Sequence, residues 1–133
     1  MRRYLVALVA AGAWLIAAQA AYAHHSFAAT YLEDKTVTIE GELVQFMFRN
    51  PHSFVYVIVT QKDGSMVRYA VEWAGAGQLG GQGVTRESIK TGDHVIISGT
   101  PARNPEDHRV RMVTLHRPKD GFGWGKRPGE VVD

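Results

Sequence analysis

The feature that most constrains the fold is a pair of strand-like segments of equal length held apart by a single strong turn. Ser53 to Thr60 reads SFVYVIVT, dense in β-branched and aromatic residues, and Met66 to Trp73 reads MVRYAVEW. Between them Lys62-Asp63-Gly64-Ser65 carries Asp-Gly, the dipeptide that tolerates the positive φ of a tight hairpin. In the second segment Val67, Tyr69, Val71 and Trp73 share one face and Met66, Arg68, Ala70 and Glu72 the other, because successive side chains of a strand point to opposite sides. A chain built around this hairpin has to bury one face of a sheet.

Three further segments share the period of two. Thr36 to Phe46 alternates through Val37, Ile39, Leu43 and Val44, with Gly41 as the site of a bulge or bend. Thr91-Gly92-Asp93 turns into His94 to Gly99, and Arg109 to Leu115 alternates cleanly as a fifth strand. Arg49-Asn50-Pro51-His52 breaks the run between the first two strands, since Pro51 lacks an N–H for a ladder. Ala74 to Gly83 turns to Gly, Ala and Gln, which predicts a loop or a short irregular helix, and Thr85 to Ile89 a turn of helix with Thr85 as cap and Ser88 too short to close a capping box. The expectation is all-β: a small five-stranded OB-like barrel with its longest connection between strands three and four. Five strands would make only a thin sandwich.

The first residues read as an address. Arg2 and Arg3 precede the apolar run Leu5 to Ala18, and Ala21-Tyr22-Ala23 supplies a small-x-small cleavage site. The run is shorter than the ~20 residues of a bilayer span and lacks a basic stop-transfer cluster, so a cleaved signal peptide is favoured over an anchor. Arg2-Arg3 lies too near the start for the twin-arginine route, which leaves general secretion. The organisation expected is therefore a signal peptide at 1–23, an OB-like barrel at 24–116 and a Gly/Pro-rich tail at 117–133, in which Phe122 or Trp124 would pin the tail to the barrel. Periplasmic or secreted localisation follows, without stable membrane insertion after cleavage.

Removing 23 of 133 residues leaves 110, one small domain. It also removes two of the 15 Lys and Arg, leaving 13 against 13 Asp and Glu, so the mature side chains are formally neutral. That balance argues against nucleic acid as a partner. So does the absence of basic residues interleaved with aromatics along strands two and three, where Arg68 and Tyr69 read as an isolated pair. With no cysteine, the domain relies on its core rather than on disulfides, and thiolate chemistry is excluded.

Candidate chemistry is sparse. Gly75-Ala76-Gly77-Gln78-Leu79-Gly80 spells G-x-G-x-x-G, but a dinucleotide site needs a βαβ unit and here a hairpin strand precedes it; the glycines instead let the connection pass close over a barrel end. Glu40, Glu42 and Glu72 read as a wet face. No G-x-S-x-G elbow or H-x-x-x-H pair is present, so the chain reads as a non-enzymatic binding module, with a hydrolase or isomerase using His52 and Glu72 as the weaker alternative. Its ligand-binding rim is expected at Asn50, His52, Glu72 and Trp73, with a small ligand or another envelope protein as partner.

Copper is the alternative. Cleavage after Ala23 would give His24 a free amine beside its own imidazole, with His25 and His52 as further nitrogen donors for Cu(II). Met47, Met66 and Met112 would add thioethers for Cu(I) if they converged near Trp73. His108 reads as a solvated loop residue.

The string His24-His25-Ser26-Phe27-Ala28-Ala29, then Tyr31, Val37 to Gly41, Asn50-Pro51-His52, Trp73, Thr85-Arg86, Ser88 to Asp93 and Gly99 to Arg103, resembles a family of small exported bacterial proteins catalogued only as a domain of unknown function. The resemblance runs from His24 to about Leu115, and HHSFAA and the NPH turn are its most specific pieces. It implies export and an OB-type barrel and no named activity. The Gly-rich 74–83 segment, where that family usually has a firmer helix, and the longer tail depart from its pattern. The layout is more distantly similar to periplasmic OB barrels that chaperone copper through Met, His and Trp, without reproducing their ligand spacing.

Overall fold

A computed structural model describes residues 27–125. The chain divides into two compact units, Met1–Thr30 and Tyr31–Asp133. Residues 27–30 are helical, and the description below concerns the second unit. The signal peptide expected at 1–23, and His24 and His25, lie outside the described residues.

Five strands close on themselves: β1 (Val37–Met47), β2 (Ser53–Thr60), β3 (Met66–Trp73), β4 (His94–Pro101) and β5 (Arg109–Arg117). β1 pairs antiparallel with both β2 and β4, β2 with β3, and β4 with β5, while β3 and β5 close the ring in parallel. The circular order β1-β2-β3-β5-β4 is that of an OB-type barrel, as the strand pattern predicts. The hairpin forms in the expected register, Ser53 opposite Trp73 and Thr60 opposite Met66, around Gly64 at φ 84°.

β1 serves two partners because it bends sharply, and the bend has two parts. A Cβ at Gly41 would sit 2.1 Å from the Ile58 carbonyl oxygen, so only glycine allows this approach. The bulge itself falls three residues later than expected, where the register with β2 shifts between Leu43 and Gln45. β4 repeats the device: its register shifts between Ser98 and Gly99, and a Cβ at Gly99 would meet Arg111 O at 2.1 Å.

Leu43, Val55, Val57, Val71, Val95 and Ile97 fill the interior, each fully buried. The connection from β3 to β4 caps this core. It holds the short helix α1 (Ala76–Gly81) and delivers Leu79, Val84 and Ile89 to the same cluster. Close approach explains one glycine here: Gly75, whose Cβ would lie 2.5 Å from Pro51 O, whereas Gly80 and Gly81 face open space. Thr85 to Ile89 forms turns rather than a turn of helix. Ser88 Oγ does reach back to accept from Thr85 N at 2.8 Å, but Thr85 Oγ1 accepts from Glu87 N at 3.3 Å, one residue before the amide that a capping box uses.

From Leu115 to Trp124 the chain stays on the barrel. β5 continues to Arg117, and β6 (Phe122–Trp124) adds to its edge. Trp124 packs edge-on against Trp73 with ring centroids 5.2 Å apart, and its Nε1 donates to Gln82 Oε1 at 2.8 Å. Arg117 and Lys119 donate to buried Asp93 at 2.6 and 2.5 Å, which ties this segment to the start of β4.

Candidate functional site

Outward-facing residues of β2 and β3 build the densest chemistry of the described chain. On β3, Glu72 points away from the core, opposite Phe54 of β2 and in register with Arg111 of β5. It is nevertheless only 7% exposed. The wet-face expectation therefore fails for Glu72, and the reason is tertiary: Tyr31, 1% exposed, is laid over it. Tyr31 is held there by a bridge to Ala102 and by the bond from Leu32 N to Pro101 O at 2.9 Å.

Three groups then satisfy one another. Tyr31 donates through its hydroxyl to Glu72 Oε2 at 2.5 Å, Arg109 Nη2 donates to the same oxygen at 2.8 Å, and Arg109 Nε donates to the Tyr31 oxygen at 2.8 Å. His52 Nδ1 lies 3.4 Å from the other carboxylate oxygen, Oε1. Burial, reinforced by the bond to Glu72, pushes the Tyr31 phenol well above its ordinary range. Burial opposes the charge on Arg109, yet Tyr31 and Glu72 hold it more firmly protonated than usual. The result is a charge-compensated cluster whose side chains are fixed.

The rim expected at Asn50, His52, Glu72 and Trp73 is not one surface. His52 and Glu72 do meet. Asn50 braces the turn instead, its Oδ1 accepting from Gly77 N at 3.1 Å beside the cis Asn50–Pro51 peptide. Ser53 closes that turn through Arg49, with Oγ to backbone at 3.2 Å in both directions. Trp73 follows Glu72 in sequence and so points the opposite way, into the core, 2% exposed and packed on Phe46 and Trp124.

Two surfaces flank the cluster and share Arg109. One is a groove of about 380 Å³ with mostly apolar walls, including Val37, Ile39, Tyr69 and Pro101, and with Arg109 and His108 at its polar side. His108 is not the solvated loop residue expected. It caps the 3₁₀ turn Pro105–Asp107 at φ 45°, stacks edge-on against Tyr69 at 5.4 Å, and keeps a buried Nδ1 without a hydrogen-bond partner. The other surface is a strip of rings and guanidiniums. Phe54 and Tyr56 stack side by side at 6.4 Å, Arg68 lies 4.3 Å over Tyr56, and Arg109 and Arg49 lie 5.3 and 5.5 Å over Phe54. Arg68 is thus paired across strands with Tyr56 rather than isolated beside Tyr69; it is still the one basic residue of β2 and β3, and Arg49 and Arg109 reach the rings from outside these strands.

The donors of the copper reading lie only partly among the described residues. Among the described residues no three His, Asp or Glu side chains converge as a ligand set. Met66 and Met112 do not converge: Met66 is 74% exposed near the hairpin turn and Met112 is buried in the core. His94 pairs with Glu40 at 2.7 Å on an open surface.

Tyr31 and Arg109 are the site residues that sequence reading missed. They lie 41 and 37 positions from Glu72, and no local pattern announces either. The Arg68–Tyr56 pair had a signal, because the hairpin register places Arg68 opposite Ile58, diagonal to Tyr56.

Fold and cluster together define a small closed OB-type barrel with a sealed carboxylate on its outer wall. The chain belongs to a family of unknown function (DUF6152), whose model matches residues 13–111. That span includes the Tyr31, His52, Glu72 and Arg109 cluster and the whole β2–β3 hairpin. No curated protein matches the chain significantly.

Proposed function

We propose that the protein is an exported, non-enzymatic binding module of the cell envelope, with a small ligand or an envelope protein as its partner. The observation that supports this reading is the position of Arg109, fixed by Tyr31 and Glu72 while bordering both the 380 Å³ groove and the aromatic strip. A pre-set cation between an apolar groove and part-exposed rings favours recognition, since little ordering cost remains at the moment of binding. Export is supported by the charged, apolar and small-x-small order of residues 1–23. No helix among the described residues is long and apolar enough to cross a membrane.

Titrating a ligand panel into isotope-labelled protein tests this reading. Saturable shifts at Tyr69, His108 or Tyr56 are expected. Turnover of a substrate class in an activity panel, abolished by His52→Ala, would overturn it.

Copper held at a processed N terminus is a second reading, favoured by His24-His25 directly following Ala21-Tyr22-Ala23. Mass and copper stoichiometry of the exported protein, with His24→Ala alongside, decide it. A start at His24 with one copper lost in the variant supports the reading, and a start at His24 without specific copper removes it.

A further inference from the structure

We propose that the outer face of β2 and β3 is a binding site for an acidic oligosaccharide, with sugar rings lying along Phe54 and Tyr56 and carboxylates taken by Arg68 and Arg49. The inference rests on the binding-module reading and names the ligand class and the surface.

Three observations carry it. First, Phe54 and Tyr56 are alternate residues of one strand and remain part-exposed, with ring centroids 6.4 Å apart and planes only 25° from parallel. The part of each ring left open beside the guanidiniums can meet the C–H face of a pyranose.

Second, the cations at its edges have no anion of their own. No carboxylate among the described residues lies within ion-pair distance of Arg49 or Arg68, whereas Arg109 beside them is compensated by Glu72. Arg68 donates one bond, from Nη2 to Gln45 Oε1 at 3.0 Å, which with the Tyr56 ring orients its guanidinium. A guanidinium held over a ring by one bond keeps its other N–H donors for a carboxylate, the fork geometry that lysine lacks.

Third, the overall charge selects among polyanions. A chain whose residues after 23 carry 13 basic and 13 acidic side chains lacks the surplus that phosphate polymers require, so sparsely charged, ring-bearing chains suit it better than nucleic acid.

The test is calorimetric titration of the purified protein with trigalacturonate, its uncharged methyl ester and an eight-residue oligothymidylate. Trigalacturonate is expected to bind, the ester to lose at least tenfold in affinity, and oligothymidylate to bind more weakly. Arg68→Ala, and independently Arg49→Ala, should each weaken trigalacturonate at least fivefold with an unchanged melting curve, and Arg68→Lys should recover only part of the loss.

Absence of trigalacturonate binding, or binding that neither variant weakens, overturns the proposal. So does oligothymidylate binding as tightly, which would mark a general polyanion surface. In labelled protein, a ligand that shifts Tyr69 and His108 but leaves Tyr56 unmoved overturns this site and leaves the binding-module reading standing.

Discussion

The hydroxyl of Tyr31 and the carboxylate of Glu72, 41 residues apart, meet at 2.5 Å and seal one another from water on the outside of the barrel. An outward strand position thereby becomes buried, and Arg109 is recruited to balance the charge.

Tyr31→Phe removes one donor and leaves Arg109 as the carboxylate's main partner. We expect a loss of about 1–2 kcal/mol in the urea midpoint. Glu72→Gln should cost more, about 2–3 kcal/mol, because Arg109 loses its counter-charge; the 37% exposure of its side chain keeps the loss below that of a fully buried pair. Equal losses for the two variants would contradict this assignment.

Alkaline pH should weaken the same contact. The folded protein holds the Tyr31 phenol above the ordinary value of 10.0, so its contribution is complete below pH 10 and declines as pH rises beyond it. A stability profile from pH 9 to 11 should fall in the wild type and flatten in Tyr31→Phe. Absorbance titration should show one tyrosine ionising late.

Acid exposes a different carboxylate. Burial alone would raise Asp93, but donors from Lys119, the Lys90 N–H and Arg117 outweigh it and lower its pKa to about 2. The folded value lies below the unfolded one of about 3.8, so this stabilisation is present above pH 4 and is lost as pH falls towards 2. Thermal melts of Asp93→Asn should be lower than wild type at pH 6 and converge with it near pH 2.

Gly99→Ala forces a methyl group against the Arg111 carbonyl, which belongs to a paired strand and cannot swing away. A loss of about 3 kcal/mol is expected from overpacking. The same change at Gly80, which faces open space within α1, should be neutral or slightly stabilising. Comparing the two melting temperatures separates a steric requirement from glycine content.

Trp124→Ala removes the ring against Trp73 and the bond to Gln82. About 2 kcal/mol should be lost, less than for a fully buried tryptophan because Trp124 is part-exposed. Fluorescence of Trp73 should shift to the red as water reaches it. An unchanged spectrum would mean that β6 does not cover that ring.

How much was legible depends on the range of the interaction. The hairpin boundaries Ser53–Thr60 and Met66–Trp73 were readable to the residue, because alternation and Asp63-Gly64 are local signals. The bulge was placed at Gly41, where the strand bends, but the extra residue sits near Val44, since register depends on what β2 presents opposite. The proposed rim mixed both faces of one strand: Glu72 and Trp73 are neighbours in sequence and opposite in direction. The tail's Gly and Pro content hides a strand: Phe122 and Trp124 read as pins, but their pairing as Phe122–Trp124 on the edge of β5 depends on the partner strand.

By itself the sequence determined the strands, their turns and the all-β class, because periodicity and turn chemistry act over a few residues. Tertiary structure alone decided which outward residue is dry, which arginine keeps a counter-charge and which rings line up as a surface. Those outcomes depend on strands and segments 37 to 78 positions apart being brought within hydrogen-bond distance, and no local pattern encodes such a meeting.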